Sequence, residues 1–234
     1  MNIKTNAVAI ITARGGSKRI PRKNIKLFLG QPIIKYSIEA AIKSGCFGEV
    51  MVSTDDKEIA EISKKLGATV PFYRSEKTSD DHATTADVIA EVLAEYKKSG
   101  KEFDYFCCIY PTAPFITSEK LKEAMRILSE KNADSVFPVA KFSYPIQRGL
   151  KIEDGFIKMF WPENLTTRSQ DLEPAYHDAG QFYFMKVKSF LEQKRVFAEK
   201  SIPLIADEME VQDIDNEEDW KVAELKYAIT HGIK

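Results

Sequence analysis

The chain has 234 residues with 34 Lys+Arg against 35 Asp+Glu, and a net charge of −1 argues against a protein devoted to coating nucleic acid or an anionic membrane. Hydrophobic residues make up 44% and charged residues 29%, which excludes collagenous and wholly disordered readings and supports a single domain, residues 1–234, with a substantial core. No apolar run approaches the roughly 18 residues of a membrane-spanning helix. The opening MNIKTNAVAIITARGG is too short in its apolar part, and too soon basic, for a secretory signal, so the expected location is cytoplasmic. The three cysteines agree. Cys46 stands alone, and Cys107 and Cys108 are strand neighbours whose side chains point to opposite faces, so reduced structural thiols are expected.

Ala7–Ala13 reads as a buried strand. Pro32 then opens a helix carrying Ile34, Ile38, Ala41 and Ile42 at helical spacing, which Gly45 and Gly48 close. Val50–Ser53 is a second strand, and Asp55 with Glu58 is a capping-box signal for a helix that stops at Gly67. Thr69–Tyr73 reads as a short strand. Thr84 with Asp87 caps a helix whose face is Val88, Ile89, Val92, Leu93 and Tyr96. Tyr105–Tyr110 is another buried strand, Leu121, Ala124, Met125 and Leu128 mark a helix, and Ser135–Val139 is a strand. This alternation predicts an α/β, Rossmann-like three-layer sandwich with a mostly parallel sheet. Residues 142–174, rich in aromatics, Pro and Gly, break the pattern and read as a β-rich excursion. Gln181–Met185 returns to strand character, and Trp220, Ala223 and Tyr227 share one face of a final helix.

The near-zero total charge hides two segregated blocks. Residues 14–26 carry Arg14, Lys18, Arg19, Arg22, Lys23 and Lys26 with no acid, and residues 207–219 carry eight acids with no base. The basic block follows the first strand, where open α/β sheets bind ligands. There Gly15 and Gly16 would let backbone N–H groups approach a phosphate, with Arg and Lys supplying charge. The loop matches neither GxGxxG nor GxxxxGK[ST], which disfavours a dinucleotide dehydrogenase or a P-loop NTPase. In the acidic block, Asp213 and Asp215 would lie roughly 6–7 Å apart along an extended chain, at about 3.3 Å per residue, with Ile214 turned inward. Two such carboxylates suit a hard cation such as Mg²⁺. The alternative is that Asp215 with Glu218 simply caps the last helix.

Ala13-Arg14-Gly15-Gly16-Ser17-Lys18 followed by Ile20-Pro21-Arg22-Lys23-Asn24 resembles the signature loop of the CMP-nonulosonate cytidylyltransferase family, which includes the CMP-sialic acid synthetases. Val52-Ser53-Thr54-Asp55, Pro111-Thr112-Ala113-Pro114 and Gln212-Asp213-Ile214-Asp215 are similar to further family blocks, in the expected order. Tyr110 and His177-Asp178-Ala179-Gly180 depart from the sialic acid branch and resemble the branch that activates pseudaminic acid.

The resemblance implies the nucleotide-diphospho-sugar transferase type of fold. It also implies formation of a CMP-nonulosonate, here CMP-pseudaminic acid, with pyrophosphate, from CTP and the free sugar acid. Legionaminic or N-acetylneuraminic acid is the alternative substrate, and a nucleic-acid-binding module the distant non-enzymatic one. By the same resemblance, Ala13, Arg14, Gly15, Gly16, Ser17, Lys18, Lys23, Asn24, Arg74 and Thr85 bind the nucleotide. Arg14, Lys18, Asp213 and Asp215 carry the chemistry, with Mg²⁺ on the two aspartates as the cofactor. Arg168, Gln170, Tyr176, His177, Gln181 and Tyr183 are the candidates for the sugar. Residues 142–174 are implied to form a homodimer, with Phe142, Tyr144, Phe156 and Trp161 as apolar contacts. The implied setting is a bacterial surface or flagellar glycan, with no membrane or nucleic-acid partner. His82, beside Asp80 and Asp81, and His231 are expected to be solvated.

Overall fold

The computed structural model describes residues 6–80 and 82–233; the first five residues of the N-terminal reading, and Asp81 beside His82, lie outside them. The first strand, β1 (Ala7–Thr12), is apolar from Ala7 to Ile11 because it is covered there on both faces. Ala7, Ala9 and Ile11 point into one core layer, and Val8 and Ile10 into the other. A two-residue pair, β2 (Leu27–Phe28) with β3 (Gln31–Pro32), leads to α1 (Ile34–Ser44), whose last turn ends at Gly45 in the left-handed conformation, φ 64°.

The units β4 (Glu49–Ser53), α2 (Lys57–Lys65), α3 (Glu76–Ser79), α4 (Thr85–Lys98), β5 (Tyr105–Ile109), α5 (Ser118–Glu130) and β6 (Ser135–Lys141) follow. A hairpin, β7 (Leu150–Glu153) with β8 (Phe156–Met159), occupies the excursion. The chain then forms β9 (Tyr176–Asp178), β10 (Phe182–Lys186), α6 (Val187–Gln193), β11 (Ser201–Ile205) and α7 (Glu217–His231).

The main sheet runs β11-β6-β10-β5-β1-β4, with β9 paired to β6. The pairs β1/β4, β1/β5 and β11/β6 are parallel. By contrast, β10 runs antiparallel to both neighbours and β9 antiparallel to β6. The expected α/β sandwich is therefore present, and its sheet is mixed, with parallel pairing among β5, β1 and β4 and between β11 and β6. One core layer packs α1, α2 and α5 on the sheet through Ile34, Ile38, Ile59, Leu121 and Leu128. The opposite layer packs α4 and α6 through Ile89, Val92, Tyr96 and Phe190.

Three local expectations are corrected. Thr69–Tyr73 is not a strand: only Thr69 pairs, with Met51, because Pro71 two residues on has no N–H to continue a ladder. The cap of α2 is Asp56, not Asp55; its side chain accepts from the Ile59 N–H. The cap of α7 is Asn216 with Asp219, one residue beyond the expected Asp215 and Glu218. Elsewhere the Thr84–Asp87 capping box forms, and all three cysteines are free thiols, Cys107 and Cys108 being fully buried.

A third cluster lies at one end of the sheet. Ile20 from the basic block and Ile214 from the acidic block are both buried there with Phe28, Phe115 and Trp220. Phe28 is its hub, meeting Tyr36, Trp220 and Tyr227 edge-to-face at centroid distances of 5.4, 5.7 and 5.6 Å. Phe28→Ala is expected to lower stability by about 3–5 kcal/mol, read from urea unfolding, because the cavity would open among rings drawn from α1 and α7.

Candidate functional site

A cleft of about 520 Å³ lies beyond the carboxyl ends of β1 and β5. Thr12, Arg14, Ser17, Lys18, Arg19, Lys23, Asn24, Arg74, Thr85, Tyr110, Thr112 and Asp213 are among its walls. The position is the one that strand direction predicts for ligands of an open α/β sheet.

The shape of the basic loop is set by acids from the start of α2. The Ala13 N–H extends the ladder by one residue, donating to the Ser53 carbonyl at 2.9 Å. The Gly15 N–H donates to Asp55 Oδ1 at 2.8 Å, which is why Asp55 is unavailable as a cap. A side chain at position 15 would meet Asp56 Oδ2 at 2.9 Å, so the loop passes the helix start only as glycine. Nothing lies within 4 Å of the corresponding point at Gly16.

Arg22, left-handed at φ 55°, donates to both oxygens of Asp56, at 2.5 and 3.0 Å, and to Glu58 at 2.5 Å. Hydrogen bonding from Arg22 holds the Asp56 carboxyl down at about 2 and pushes the guanidinium further up. Asn24 is buried inside the loop and donates from Nδ2 to the Arg14 carbonyl at 2.8 Å.

Two cations are drawn back from solvent, Arg74 fully and Lys23 in part. Arg74 is buried; its Nε and terminal nitrogen donate to the Ser53 hydroxyl and carbonyl at 3.1 and 2.9 Å. Burial lowers its pKa, opposed by Asp55. Lys23 donates from Nζ to the Ile214 carbonyl at 2.7 Å, and burial lowers its pKa against the pull of Asp215 and Asp213. Arg14 and Lys18 line the cleft, and Arg14 donates to the Asp80 carbonyl at 2.8 Å.

The acidic segment arrives as its spacing suggests. Ile214 is buried while Asp213 faces the cleft and Asp215 reaches Arg19, at 2.7 Å from its guanidinium. Asp215 itself is not among the cleft walls. No group of three or more His, Cys, Asp or Glu side chains capable of holding a metal occurs among the described residues. Two oxygen donors beside a cationic cleft fit a hard cation that fills the rest of its shell with water and phosphate oxygens, as Mg²⁺ does.

The nucleotide candidates therefore gather, and the sugar candidates disperse. Arg168 pairs with Asp171 at 2.8 Å in an exposed turn, and neither it nor Gln170 lines the cleft. Tyr176 and His177 line a separate, largely apolar pocket of about 470 Å³ with Phe137, Phe197 and Ile205. Gln181 is buried, donating from Nε2 to the Glu210 carbonyl at 2.6 Å, and its Oε1 has no partner among the described residues. Tyr183 is buried behind the cleft wall, its ring 5.9 Å from that of Tyr110.

Phe142, Tyr144, Phe156 and Trp161 are exposed, the last at 42%, rather than packed as a satellite core of the same chain. His82 and His231 are on the surface, His231 stacked on Tyr227 at 3.8 Å. Residues that sequence reasoning did not single out for the site are Arg19, Thr78, Asp80 and Asp56; the Asp-Asp pair closing β4 was the available signal for the last.

An α/β fold that gathers cations and a carboxylate at the carboxyl edge of its sheet defines a phosphate-handling enzyme of the nucleotidyltransferase class. The chain belongs to the cytidylyltransferase family, whose pattern it matches over residues 8–222. It is 42% identical to the pseudaminic acid cytidylyltransferase of Campylobacter jejuni subsp. jejuni over 96% of this chain and 97% of that one. Identity to the CMP-N,N'-diacetyllegionaminic acid synthase of Legionella pneumophila is 34%, over 93% and 94% of the two chains. The fold is shared with a CMP:2-keto-3-deoxy-manno-octonic acid synthetase solved with CTP. That match has a TM-score of 0.67 at 15% identity and covers 97% of this chain and 100% of that one.

Because the Asp56 carboxyl is depressed to about 2, the stability it contributes is complete above the ordinary aspartate value near 3.9 and is lost as pH falls towards 2. Asp56→Asn is therefore expected to be less stable than the parent at neutral pH. The gap should narrow steadily between about pH 4 and pH 2 in thermal unfolding.

Proposed function

We propose that this chain joins CTP to pseudaminic acid, releasing pyrophosphate and forming CMP-pseudaminic acid. The observation that carries this reading is the shared cleft of Arg14, Lys18, Lys23 and Asp213, within a chain so similar to the Campylobacter enzyme. Tyr110 and the stretch His177–Gly180, which depart from the sialic acid pattern, favour this acid over N-acetylneuraminic acid.

In the reaction, the anomeric oxygen of the sugar forms a bond to the α-phosphorus. The bond from that phosphorus to the oxygen bridging the α- and β-phosphates breaks, and the hydroxyl proton passes to solvent. Such a transfer is driven by positioning and by neutralising charge on the phosphate oxygens. Arg14, Lys18 and the Gly16 N–H hold the triphosphate and then the departing pyrophosphate, the Gly15 N–H being held by Asp55 and the Ser17 N–H by the Gly15 carbonyl at 3.0 Å. Lys23 lies between the phosphate loop and the acidic segment, fixed by the Ile214 carbonyl. Asn24 keeps the loop curled, and Arg74 and Thr85 form the nucleotide wall.

Asp213 and Asp215 would hold Mg²⁺, which when bound screens the phosphate oxygens. For Asp215 this means exchanging its partner Arg19 for the cation. Among the sugar candidates, Gln181 and Tyr183 lie closest in sequence to the strand edge beside Tyr110, whose N–H donates to the Gln181 carbonyl at 2.9 Å. Arg168, Gln170, Tyr176 and His177 would reach a sugar only from the excursion side. We read the exposed apolar hairpin β7–β8 as the contact of a homodimer working in the cytoplasm.

Pyrophosphate release is expected with CTP, pseudaminic acid and Mg²⁺ together, and to stop when Mg²⁺ is chelated. Lys18→Ala and Asp213→Asn should each lower kcat by about 10²-fold or more with unchanged unfolding curves. A panel of pseudaminic, legionaminic and N-acetylneuraminic acids checks the sugar; faster turnover of either of the latter two overturns the assignment.

A further inference from the structure

The two candidate metal ligands differ in what they touch. Asp213 faces the cleft, whereas Asp215 Oδ1 lies 2.7 Å from a terminal nitrogen of Arg19, itself a residue of the cleft wall. The main chain on each side of this pair is anchored. Arg19 precedes Ile20 and Asp215 follows Ile214, and both isoleucines are buried in the cluster around Phe28. The Ile214 carbonyl accepts from Lys23 at 2.7 Å, and the Asp215 N–H donates to Asp219 Oδ2 at 2.9 Å. The side chains of the pair are open to water, at 69% for Arg19 and 42% for Asp215, so their contact can break while the backbone stays in place.

Charge decides which cation that carboxylate keeps. A guanidinium held on one of its oxygens repels a divalent cation approaching the other. An ion pair exposed to water is weakly held, so the guanidinium leaves when a better acceptor is offered. A triphosphate entering the cleft is such an acceptor, since it is multiply charged and its oxygens match the planar fork of an arginine. Arg19 already stands in the wall that the triphosphate would pass.

We propose that Arg19 is an exchangeable counter-ion: it occupies Asp215 while the cleft is empty and passes to the triphosphate when a nucleotide enters, which frees the aspartate pair for a divalent cation. Nucleotide and cation are thereby coupled through one side chain, each raising the affinity for the other. The inference rests on the cytidylyltransfer reading above and on its assignment of Asp213 and Asp215 to the metal.

The test needs no turnover. Mn²⁺, followed by the electron paramagnetic resonance of the free ion, is titrated into the protein without nucleotide or sugar acid. Arg19→Ala is expected to bind Mn²⁺ about 3- to 5-fold more tightly than the parent, because the competing pair is gone. Lys26→Ala removes a charge from the same loop, but one paired with Glu217 rather than Asp215, and should change the affinity by less than about 2-fold. In calorimetry with saturating Mg²⁺ and no sugar acid, Arg19→Ala should bind CTP about 5-fold more weakly. If Arg19→Ala does not fold, Arg19→Gln carries the same comparison.

The inference stands only if the two effects appear with opposite sign. Unchanged Mn²⁺ affinity, an equal gain in Lys26→Ala, or a Mn²⁺ gain without a loss for CTP overturns it and leaves the reaction and its metal site intact. Adding Asp213→Asn to Arg19→Ala should abolish the gained Mn²⁺ binding. Its persistence would place the cation elsewhere and overturn the metal assignment, and this inference with it. A parent protein inactive on CTP and every acid of the panel would instead overturn the reaction.

Discussion

The site depends on an apolar contact between two segments that carry opposite charge. Ile20 and Ile214 are each the buried residue in a run of exposed charge, and both pack into the cluster around Phe28 and Trp220. Ion pairs alone would hold such segments weakly, because exposed pairs contribute little in water. Burying two isoleucines and an aromatic hub supplies a stronger and non-directional attraction. Once the clamp closes, the polar contacts follow: Lys23 on the Ile214 carbonyl, Arg19 on Asp215, and Lys26 on Glu217 and over the Trp220 ring at 4.6 Å. A cationic loop and Asp213, nearly 200 residues away along the chain, thus come to share one cleft, with Asp215 beside it on Arg19.

The loop is also built from behind. Asp55 and Asp56 end β4 and begin α2, and between them they take the Gly15 N–H, the Arg22 guanidinium and the first free N–H groups of the helix. Like charges crowded into a short loop repel, and these acids offset part of that repulsion. The cleft keeps its positive character while the chain around it stays ordered.

Much of this was legible in the sequence, for reasons that differ by element. β1 is apolar from Ala7 to Ile11 because both its faces are covered, and the face of α7 repeats at helical spacing, so local pattern sufficed. The basic loop was legible because its residues are contiguous. What local pattern could not decide was competition for a partner: Asp55 and Asp56 both suit a cap, and only the tertiary bond to Gly15 assigns them. β11 went unread because Pro203 interrupts it, which an edge strand tolerates, and the antiparallel course of β10 is a matter of topology rather than composition.

The reversed course of β10 has a wider meaning. A parallel strand would have met the cleft with its exit; this one meets it with its entrance, where Phe182 pairs with Ile109. The whole detour from Phe142 to Gly180 is consequently delivered at the mouth of the cleft, while its two ends are pinned by β6 and β10. Residues 142–175 hold no buried side chain, so changes of length or composition there leave the layered core untouched. An ancestral scaffold of this shape can therefore exchange one acceptor molecule for another by rewriting a single surface-borne insertion, with the phosphate chemistry inherited unaltered.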